Sequence, residues 1–248
     1  MIVSERRGTE LLLLTLQRPE KRNALTQPLI EQLTAELQRS DADPAIRGVI
    51  VAGAAPSFCA GVDLHEFAEA TPDSARALIV ALSLLCATVR GLSKPVACAI
   101  QGHCLGGALE LAACADFRIA TTDAHLGMPE VVLGLPSVID AVMLGHLIGV
   151  GRARELLLTG EPISGETAFQ WGLVNRLSAS ENLIDVAADL LHQATRHLPE
   201  VIAAQKRLHQ QWLDLPYSEA VERSVDSLVD AFRSGHPQRL AANRLRHH

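Results

Sequence analysis

The sequence predicts an α/β fold in which helices connect parallel strands. Short apolar runs of strand length alternate along the chain with longer segments whose apolar residues recur at helical spacing. Such an alternation packs helices against a parallel sheet through right-handed crossovers. Hydrophobic residues make up 48% of the 248 residues, and only 3% are aromatic. One large domain, or one domain with an appendage, is therefore expected, with a core filled mainly by aliphatic side chains and alanine.

The elements of the first half are predicted from periodicity. The strands are short continuous apolar runs, and the helices carry apolar residues three and four positions apart. In chain order we predict a strand at 11–17, a helix at 26–40, a strand at 48–53 and a helix at 74–91. The turn signal Thr71-Pro72-Asp73 marks the start of the last helix.

The second half begins with the same alternation and ends in helices. A strand is predicted at 95–100, a helix from Leu105 and a strand at 117–120. From about Leu183 the periodicity is helical only, with amphipathic runs at 201–212 and 218–232. We therefore divide the chain into an α/β core at 1–182 and a helical region at 183–248.

Charge and hydropathy exclude several classes of protein. The formal net charge is −6, which argues against nucleic acid as the main partner because phosphate binding needs a basic face. The first ten residues, MIVSERRGTE, lack the apolar segment of a secretory signal. No run reaches the roughly 18 apolar residues of a membrane helix. These observations predict a protein without a membrane segment.

Cysteine and histidine usage point to a cytoplasmic protein without a metal. The five cysteines lack CxxC spacing and are odd in number, which is typical of reduced, buried thiols. Cys104 lies in the glycine segment described next, but a cysteine is often only a small core residue. The histidines show no ligand spacing such as HExxH. Whether His247 and His248 are native or remain from a tag is left open.

The most informative segment is QGHCLGGALELAACA, at 101–115. It follows an apolar strand and places Gly106 and Gly107 before a helix-forming run that carries Glu110. Glycines leave backbone N–H groups uncovered, and a helix N-terminus adds unpaired donors and a positive dipole end. This arrangement favours binding of an oxygen that becomes negative during a reaction, with a carboxyl group beside it. The alternative is a tight turn packed on a helix, with Glu110 on the outside.

Other segments share this layout and complete a family pattern. FCAGVDL at Phe58–Leu64 also follows a strand, and GMPEVVLGLP at Gly127–Pro136 carries Glu130. Further motifs are RPEKRNAL at Arg18–Leu25 and the long segment from Gly151 to Leu177, which begins GRARELLLTGEP. With these motifs in this order, the chain resembles the crotonase superfamily, the enoyl-CoA hydratases and isomerases, over roughly residues 10–210.

The resemblance implies a fold, a ligand and an assembly. The fold is a ClpP-like spiral of repeated ββα units at 1–182, with a C-terminal helical region at 183–248 that forms a homotrimer or a dimer of trimers. The substrate is an acyl-CoA thioester, so coenzyme A enters as part of the substrate and no separate cofactor is expected. The usual phenylalanine-rich ending is replaced here by the ANRLRHH tail.

The resemblance also implies a mechanism. The backbone N–H groups of Val62 and Gly107 match the oxyanion hole, and Glu110 and Glu130 match the acid/base pair. Because both glutamates are present, a hydratase is favoured over an isomerase, which can work with the carboxylate that matches Glu130. A hydrolase or decarboxylase that uses the same oxyanion hole stays open because Asp140 adds a third acid. A CoA-binding or RNA-binding protein without turnover is the remaining alternative, in which the glutamates have no catalytic role.

The residues implied to border CoA lie in RPEKRNAL, in FCAGVDL and the residue after it, and in the glycine turn. They are Arg22, Ala24, Ala60, Val62, Asp63, Leu64, His65 and Gly106. Many family members have lysine where this chain has His65, and histidine is mostly neutral near pH 7. Arg22 is expected to compensate. Alternatively, Lys21 and Arg22 are solvated surface charges.

One segment departs from the family pattern. Ser137, Val138 and Ile139 stand where small residues are usual. The branched side chains are expected to narrow the acyl pocket and to favour short or branched acyl groups, while the backbone of Ser137 can still hold the catalytic water. Asp140 is either a residue on a helix surface or a polar anchor or acid for an unusual substrate.

Overall fold

Nine strands form within residues 1–246, the part of the chain that this computed structural model describes. They are β1 (Ile2–Arg7), β2 (Leu11–Leu16), β3 (Gly48–Gly53), β4 (Val96–Ile100), β5 (His103–Leu105), β6 (Phe117–Ala120), β7 (His125–Gly127), β8 (Ile163–Ser164) and β9 (Arg176–Leu177). His247 and His248, and with them the question of a tag, lie outside the described residues.

Six of these strands form the central sheet, in the order β1-β2-β3-β4-β6-β9. All neighbours from β2 to β9 are parallel, as the strand–helix alternation predicted. β1 pairs antiparallel with β2 and was not predicted, because four of its six residues are exposed and polar. β5, β7 and β8 form a second, smaller sheet, so from β4 to β7 consecutive strands alternate between the two sheets.

Eleven α-helices are formed by the described residues. They are α1 (Gln27–Ala42), α2 (Leu64–Ala68), α3 (Pro72–Gly91), α4 (Gly107–Cys114), α5 (Val142–Ile148), α6 (Val150–Thr159), α7 (Gly165–Gln170), α8 (Leu183–Thr195), α9 (Pro199–Asp214), α10 (Tyr217–Arg233) and α11 (His236–Leu245). The helices predicted at 26–40 and 74–91 are confirmed within two residues. α4 starts two residues later than predicted, because His103–Leu105 pairs with β7 as a strand.

The central sheet separates two layers of apolar packing. On one face α1, α3 and α4 share a large core cluster with side chains of the sheet, such as Leu14, Val51 and Ile100. On the other face α8 packs against Leu11 and Ile50 in a second cluster. The first helix of the C-terminal region therefore covers the sheet, while α9, α10 and α11 follow it along the chain.

Helix α3 is apolar along most of its length. Its most apolar 18-residue window has a mean hydropathy of 1.5, so by length and composition alone it is able to cross a membrane. The expectation that no segment would meet these criteria is corrected for this helix. In the structure Leu78, Leu82 and Leu85 are buried in the core, and the helix packs against α1 and α4. One face of the helix thus lies in the core, while Val80 and Leu84 are more than half exposed.

Candidate active site

Two backbone turns run side by side at the N-terminus of α4. Cys59 and Cys104 form a parallel bridge, in which the N–H of Cys59 donates to the carbonyl of His103 at 2.9 Å. Gly61 has φ +88°, and a Cβ there would lie 2.7 Å from the carbonyl oxygen of Leu105. Only glycine permits both the conformation and this close approach. The turn that carries Val62 and the turn that leads to Gly107 are therefore in contact.

The N–H groups of Val62 and Gly107 are positioned by their neighbours. The N–H of Leu25 donates to Gly61 at 2.7 Å, and the N–H of Asp63 donates to Leu25 at 2.9 Å. In such a parallel bridge the N–H of the intervening residue, Val62, points away from Leu25. Gly107 is the first residue of α4, so its N–H has no intrahelical acceptor. Both groups are thus oriented away from the backbone pairing that holds their turns.

Gly106 fixes the relation between this turn and Glu130. Its backbone has φ +54° and ψ −127°, a conformation essentially restricted to glycine. Its N–H donates to the carbonyl of Gly127 at 2.8 Å. A Cβ built at Gly106 would collide with the Glu130 carboxylate. The Glu130 carboxyl group therefore lies directly against the glycine turn.

Glu110 is in the first turn of α4 and is buried, with 3% of its surface exposed. The alternative that placed its side chain on the outside is therefore wrong. Burial raises the pKa of this carboxyl to about 8, and the charges of Glu130 and Cys114 add to the increase. A hydrogen bond from the backbone of Ala141 opposes it. A carboxyl group with this pKa holds a proton at neutral pH.

Glu130 lies in a 3₁₀ turn, Pro129–Leu133, that follows β7. The Ser137 hydroxyl donates to its Oε2 at 3.1 Å. Burial raises the pKa of Glu130, while hydrogen bonds from its own backbone and from Ser137 favour the ionised form. The charge of Glu130 contributes to the raised pKa of Glu110, so the two carboxyl groups interact electrostatically.

The segment 137–140, which departs from the family pattern and is called the departure segment below, runs past this carboxyl pair. Ile139 has φ +41°, a conformation in which a β-branched residue is a genuine outlier. Its side chain is half-buried against the core, whereas Val138 is 41% exposed. Asp140 is only 7% exposed and forms an ion pair with Arg90, so the expectation of a surface residue is wrong. The segment is anchored on α3 by this ion pair.

The residues implied to border CoA are brought together in part. Lys21 Nζ lies 3.1 Å from His65 Nε2, and the N–H of Ala60 donates to the carbonyl of Arg22 at 3.0 Å. Arg22 and His65 are exposed, while Ala24 is buried and Leu64 is 58% exposed. These two segments therefore form one basic edge beside the Val62 turn.

Asp63 has a structural position in the same region. It is buried, and its Oδ1 accepts the N–H of His65 at 3.0 Å as the N-cap of α2. Its Oδ2 pairs with Arg18 Nη2 at 3.0 Å. The pKa of Asp63 is lowered because these hydrogen bonds and the Arg18 charge outweigh the opposing effect of burial. Both oxygens are therefore already occupied by contacts that hold the turn.

Asn23 is a supporting residue that the motif contained but our sequence reasoning did not single out. It is fully buried, and its Nδ2 donates to the carbonyls of Ala54 and Ser57, at 2.7 Å each. Its Oδ1 accepts the N–H of Arg18 at 2.8 Å. Asn23 has φ +56°, which asparagine tolerates better than most residues. An asparagine directly before the apolar Ala24 and Leu25 in RPEKRNAL was the signal for this role.

Three side chains of the types that bind metals lie close together, although the sequence predicted no metal site. Cys86, Cys114 and Asp140 each place a potential ligand atom within 4.8 Å of the others. Arg90 Nη1 also lies 3.4 Å from the sulfur of Cys114, and it pairs with Asp140. A fixed positive charge in contact with two of the three ligands opposes binding of a cation.

The mainly parallel central sheet with its second small sheet, the helical C-terminal part and the glycine turn at the start of α4 define a protein of the crotonase fold class. Beyond the fold class, the chain belongs to the enoyl-CoA hydratase/isomerase family, which it matches over residues 6–239. This membership implies an acyl-CoA substrate. It confirms the superfamily expected from the spaced motifs.

Individual relatives cover nearly the whole chain. The 2,3-dehydroadipyl-CoA hydratase of Escherichia coli K12 is 36% identical over 239 residues, which are 95% of this chain and 92% of that protein. A mevalonyl-coenzyme A hydratase of Aspergillus fumigatus is 34% identical over 226 residues, 89% and 81% of the two chains. Proteins of similar length and organisation therefore carry hydratase names.

Solved structures confirm the architecture. An enoyl-CoA hydratase from Polaromonas sp. JS666 superimposes with a TM-score of 0.92 at 27% identity, covering 98% of this chain and 96% of that one. An enoyl-CoA hydratase from Bacillus anthracis gives a TM-score of 0.89 at 29% identity, covering 94% and 91%. The predicted α/β crotonase fold with C-terminal helices is thus confirmed.

Proposed function

We propose that the protein is an enoyl-CoA hydratase that reversibly adds water to a 2-enoyl-CoA thioester. The observation that carries this proposal is the pairing of two carboxyl groups, Glu110 and Glu130, beside the glycine turn, with both pKa values raised. Hydration needs one group that takes a proton from water and another that delivers a proton to carbon. Two carboxyl groups whose pKa values lie closer to neutrality are suited to share this work.

We infer that the thioester oxygen is bound by the backbone N–H groups of Val62 and Gly107. When hydroxide adds to C3, negative charge moves through the conjugated system to this oxygen. A preorganised N–H donor is worth about 3 kcal/mol of transition-state stabilisation. The contact between the two turns and the position of Gly107 at a helix N-terminus support this assignment. Because the Val62 donor is main chain, its side chain does not remove it.

Proton transfers balance within the carboxyl pair. Water loses a proton to one carboxylate as its oxygen bonds to C3, and the other carboxyl group gives its proton to C2. The pair therefore holds one proton before and after the reaction. A pKa of about 8 keeps Glu110 protonated at neutral pH, and the Ser137 hydrogen bond favours ionised Glu130. This is the protonation state that the reaction requires.

We infer that the nucleotide end of CoA lies at the basic edge formed by Lys21, Arg22 and His65. Their side chains are exposed and adjacent, so they are free to approach phosphate oxygens. His65 contributes a charge only when it is protonated. From this edge the substrate passes Ala60 and Val62 to the glycine turn. The acyl group then meets the departure segment, where Ile139 narrows the space available.

We infer that the helices of the 183–248 region assemble the protein as a homotrimer or a dimer of trimers. Helix α10 leaves Val225, Leu228 and Phe232 exposed at 56%, 61% and 48%. A continuous apolar face of this kind marks an interaction surface. Since α8 covers the sheet, the contacts come from α9, α10 and α11.

The five free thiols support a reducing, cytoplasmic location.

A panel of CoA esters tests the proposal against its alternatives. A hydratase lowers the enoyl-thioester absorbance of a short 2-enoyl-CoA and forms a product heavier by one water. An isomerase instead raises that absorbance from a 3-enoyl-CoA, a hydrolase releases the CoA thiol, and a decarboxylase releases CO₂. Binding without turnover of any ester would point to a non-catalytic CoA protein. Asp140 was the feature that favoured a hydrolase or a decarboxylase as an alternative. Its carboxylate forms an ion pair with Arg90.

A further inference from the structure

A pair of thiols lies next to the proposed acid/base site but outside its chemistry. Cys114 follows Glu110 by four residues on α4, so the two side chains share one face of that helix. Cys86, on the neighbouring α3, places its sulfur within 4.8 Å of the sulfur of Cys114. Cys86 is fully buried and Cys114 is 6% exposed. The two sulfur atoms are therefore neighbours, and a disulfide between them requires the two helices to shift toward each other.

The charges around the pair make Cys114 the more acidic thiol. The pKa of Cys114 is lowered because the hydrogen bond from the Cys86 thiol, together with the Arg90 guanidinium beside it, outweighs the opposing effect of burial. Arg90 Nη1 is 3.4 Å from this sulfur. The pKa of Cys86 is raised by its hydrogen bond with Cys114 and by burial. The pair thus combines a thiol of lowered pKa with a second thiol in reserve.

A cavity gives access to Cys114. It has a volume of about 440 Å³ and is lined by Arg90, Cys114, Met143, Lys206 and His209, among others. Its walls come from α3, α4, α5 and α9. The walls combine apolar side chains such as Leu147 and Leu213 with basic groups, and the volume is sufficient for a small oxidant such as hydrogen peroxide. Cys114 is therefore the thiol that such an oxidant meets first.

We propose that Cys86 and Cys114 are a redox-active dithiol that hydrogen peroxide or a small hydroperoxide converts to a disulfide. The Cys114 thiolate attacks one peroxide oxygen, which forms an S–O bond, breaks the O–O bond and releases hydroxide from hydrogen peroxide or an alkoxide from a hydroperoxide. The Cys86 sulfur then attacks the sulfenic acid, which forms the S–S bond and releases the hydroxyl group with the Cys86 proton as water. The thiols lose two electrons and the peroxide gains them.

Disulfide formation is expected to disturb Glu110. The sulfur atoms must close to about 2.05 Å, which draws α4 toward α3. Asp140 lies beside both sulfurs, and the next residue, Ala141, supplies the backbone hydrogen bond to Glu110. A displacement of about 1 Å in an acid/base group typically lowers the rate by up to roughly 10²-fold. This consequence rests on the proposed hydratase activity, whereas the disulfide chemistry does not.

Peptide mapping of the oxidised protein tests the chemistry. The folded protein is treated with limiting hydrogen peroxide, quenched with catalase, denatured in the presence of an alkylating agent and digested. Trypsin and Glu-C cleave after Arg90 and after Glu110, so Cys86 and Cys114 fall on separate peptides. The expected result is a linked peptide pair that dithiothreitol separates.

The other cysteines and two variants are matched controls. Burial raises the pKa of Cys59 and of Cys98 to about 12, so both thiols should stay reduced and be alkylated. In Cys86→Ser the Cys114 sulfenic acid should accumulate and react with dimedone, whereas in Cys114→Ser the thiol of Cys86 should stay reduced. Equal oxidation of Cys98, no linked pair in the wild-type protein, or zinc retained through dialysis with both thiols protected would overturn the proposal.

Activity measured on the same samples separates the formation of the disulfide from its expected effect on Glu110. Oxidation should lower hydration of a short enoyl-CoA by about 10-fold or more, and dithiothreitol should restore it. A disulfide that leaves hydration unchanged would overturn the link to Glu110. A reduced protein that hydrates no ester would count against the proposed function, and the mapping result would still decide the dithiol.

Discussion

Replacing Glu110 by glutamine should make the folded protein more stable above neutral pH, even though it removes a proposed catalytic group. The carboxyl group is 3% exposed, and its pKa is raised from 4.5 to about 8. The folded state therefore holds the Glu110 proton more tightly than the unfolded chain does. The contribution of protonated Glu110 to the free energy of unfolding is fully present below pH 4.5 and is lost as the pH rises through 8. Glutamine has the same shape and no charge, so it escapes this loss.

The magnitude follows from the two pKa values. Each tenfold change in proton affinity corresponds to about 1.36 kcal/mol. The free energy of unfolding of Glu110→Gln should exceed that of the wild-type protein by about 1 kcal/mol at pH 5, about 3 kcal/mol at pH 7 and about 5 kcal/mol at pH 9. The rise of this difference with pH is the distinctive feature.

Urea unfolding at the three pH values, at one protein concentration, measures this difference. Fixed concentration is needed because association shifts apparent stability by mass action. The matched control is Glu155→Gln, since Glu155 is exposed on α6. Its unfolding free energy should differ from wild type by less than about 0.5 kcal/mol at each pH. If Glu110→Gln showed no gain between pH 5 and pH 9, Glu110 would not be a buried carboxyl group of raised pKa.

Further predictions concern the glycine turn, the hydroxyl that contacts Glu130 and the exposed face of α10. Gly106→Ala should lower kcat/KM by roughly 10²-fold, because its Cβ would collide with the Glu130 carboxylate; near-normal kinetics with an unchanged fold would contradict that contact. Ser137→Ala should raise the pKa of Glu130 and move the acidic limb of the kcat/KM–pH profile to higher pH, since a hydrogen bond to a charged group is worth about 1.5–3 kcal/mol; an unmoved limb would show that the hydroxyl has no such effect. Leu228→Asp should reduce the assembly to a smaller species by light scattering, as Leu228 is 61% exposed on an apolar face; an unchanged oligomeric mass would exclude this face from the interface.

The elements that the sequence predicted well are those whose pattern is local. The strand at Gly48–Gly53 is apolar throughout and bounded by glycines, and its observed limits match the predicted ones. Helix α3 has a proline and a capping residue at its start, and it begins two residues before the predicted position. β1 was missed because its side chains are mostly exposed, and only pairing with β2 makes it a strand. Long-range pairing is not visible in a local pattern.

Sequence motifs predicted the parts of the candidate site that depend on residue type and on a local backbone turn. The motifs pointed to Glu110, Glu130 and the glycine turn, and the structure brings these groups together. The ion pair of Arg90 with Asp140 joins residues 50 positions apart, so no local pattern indicated that Asp140 is buried. The same holds for Cys86 and Cys114, which lie on two helices that only the fold brings into contact.

The proposed function requires that Glu110 and Glu130 together add water to a 2-enoyl-CoA. The most direct test measures kcat for hydration of a short 2-enoyl-CoA by the wild-type protein, Glu110→Gln and Glu130→Gln, with Glu155→Gln as the control. Each of the two site variants should lose roughly 10²–10⁴-fold in kcat, the usual scale for removal of a general acid or base, while the control stays at the wild-type rate. Hydration at near-normal rates by both site variants would contradict the account.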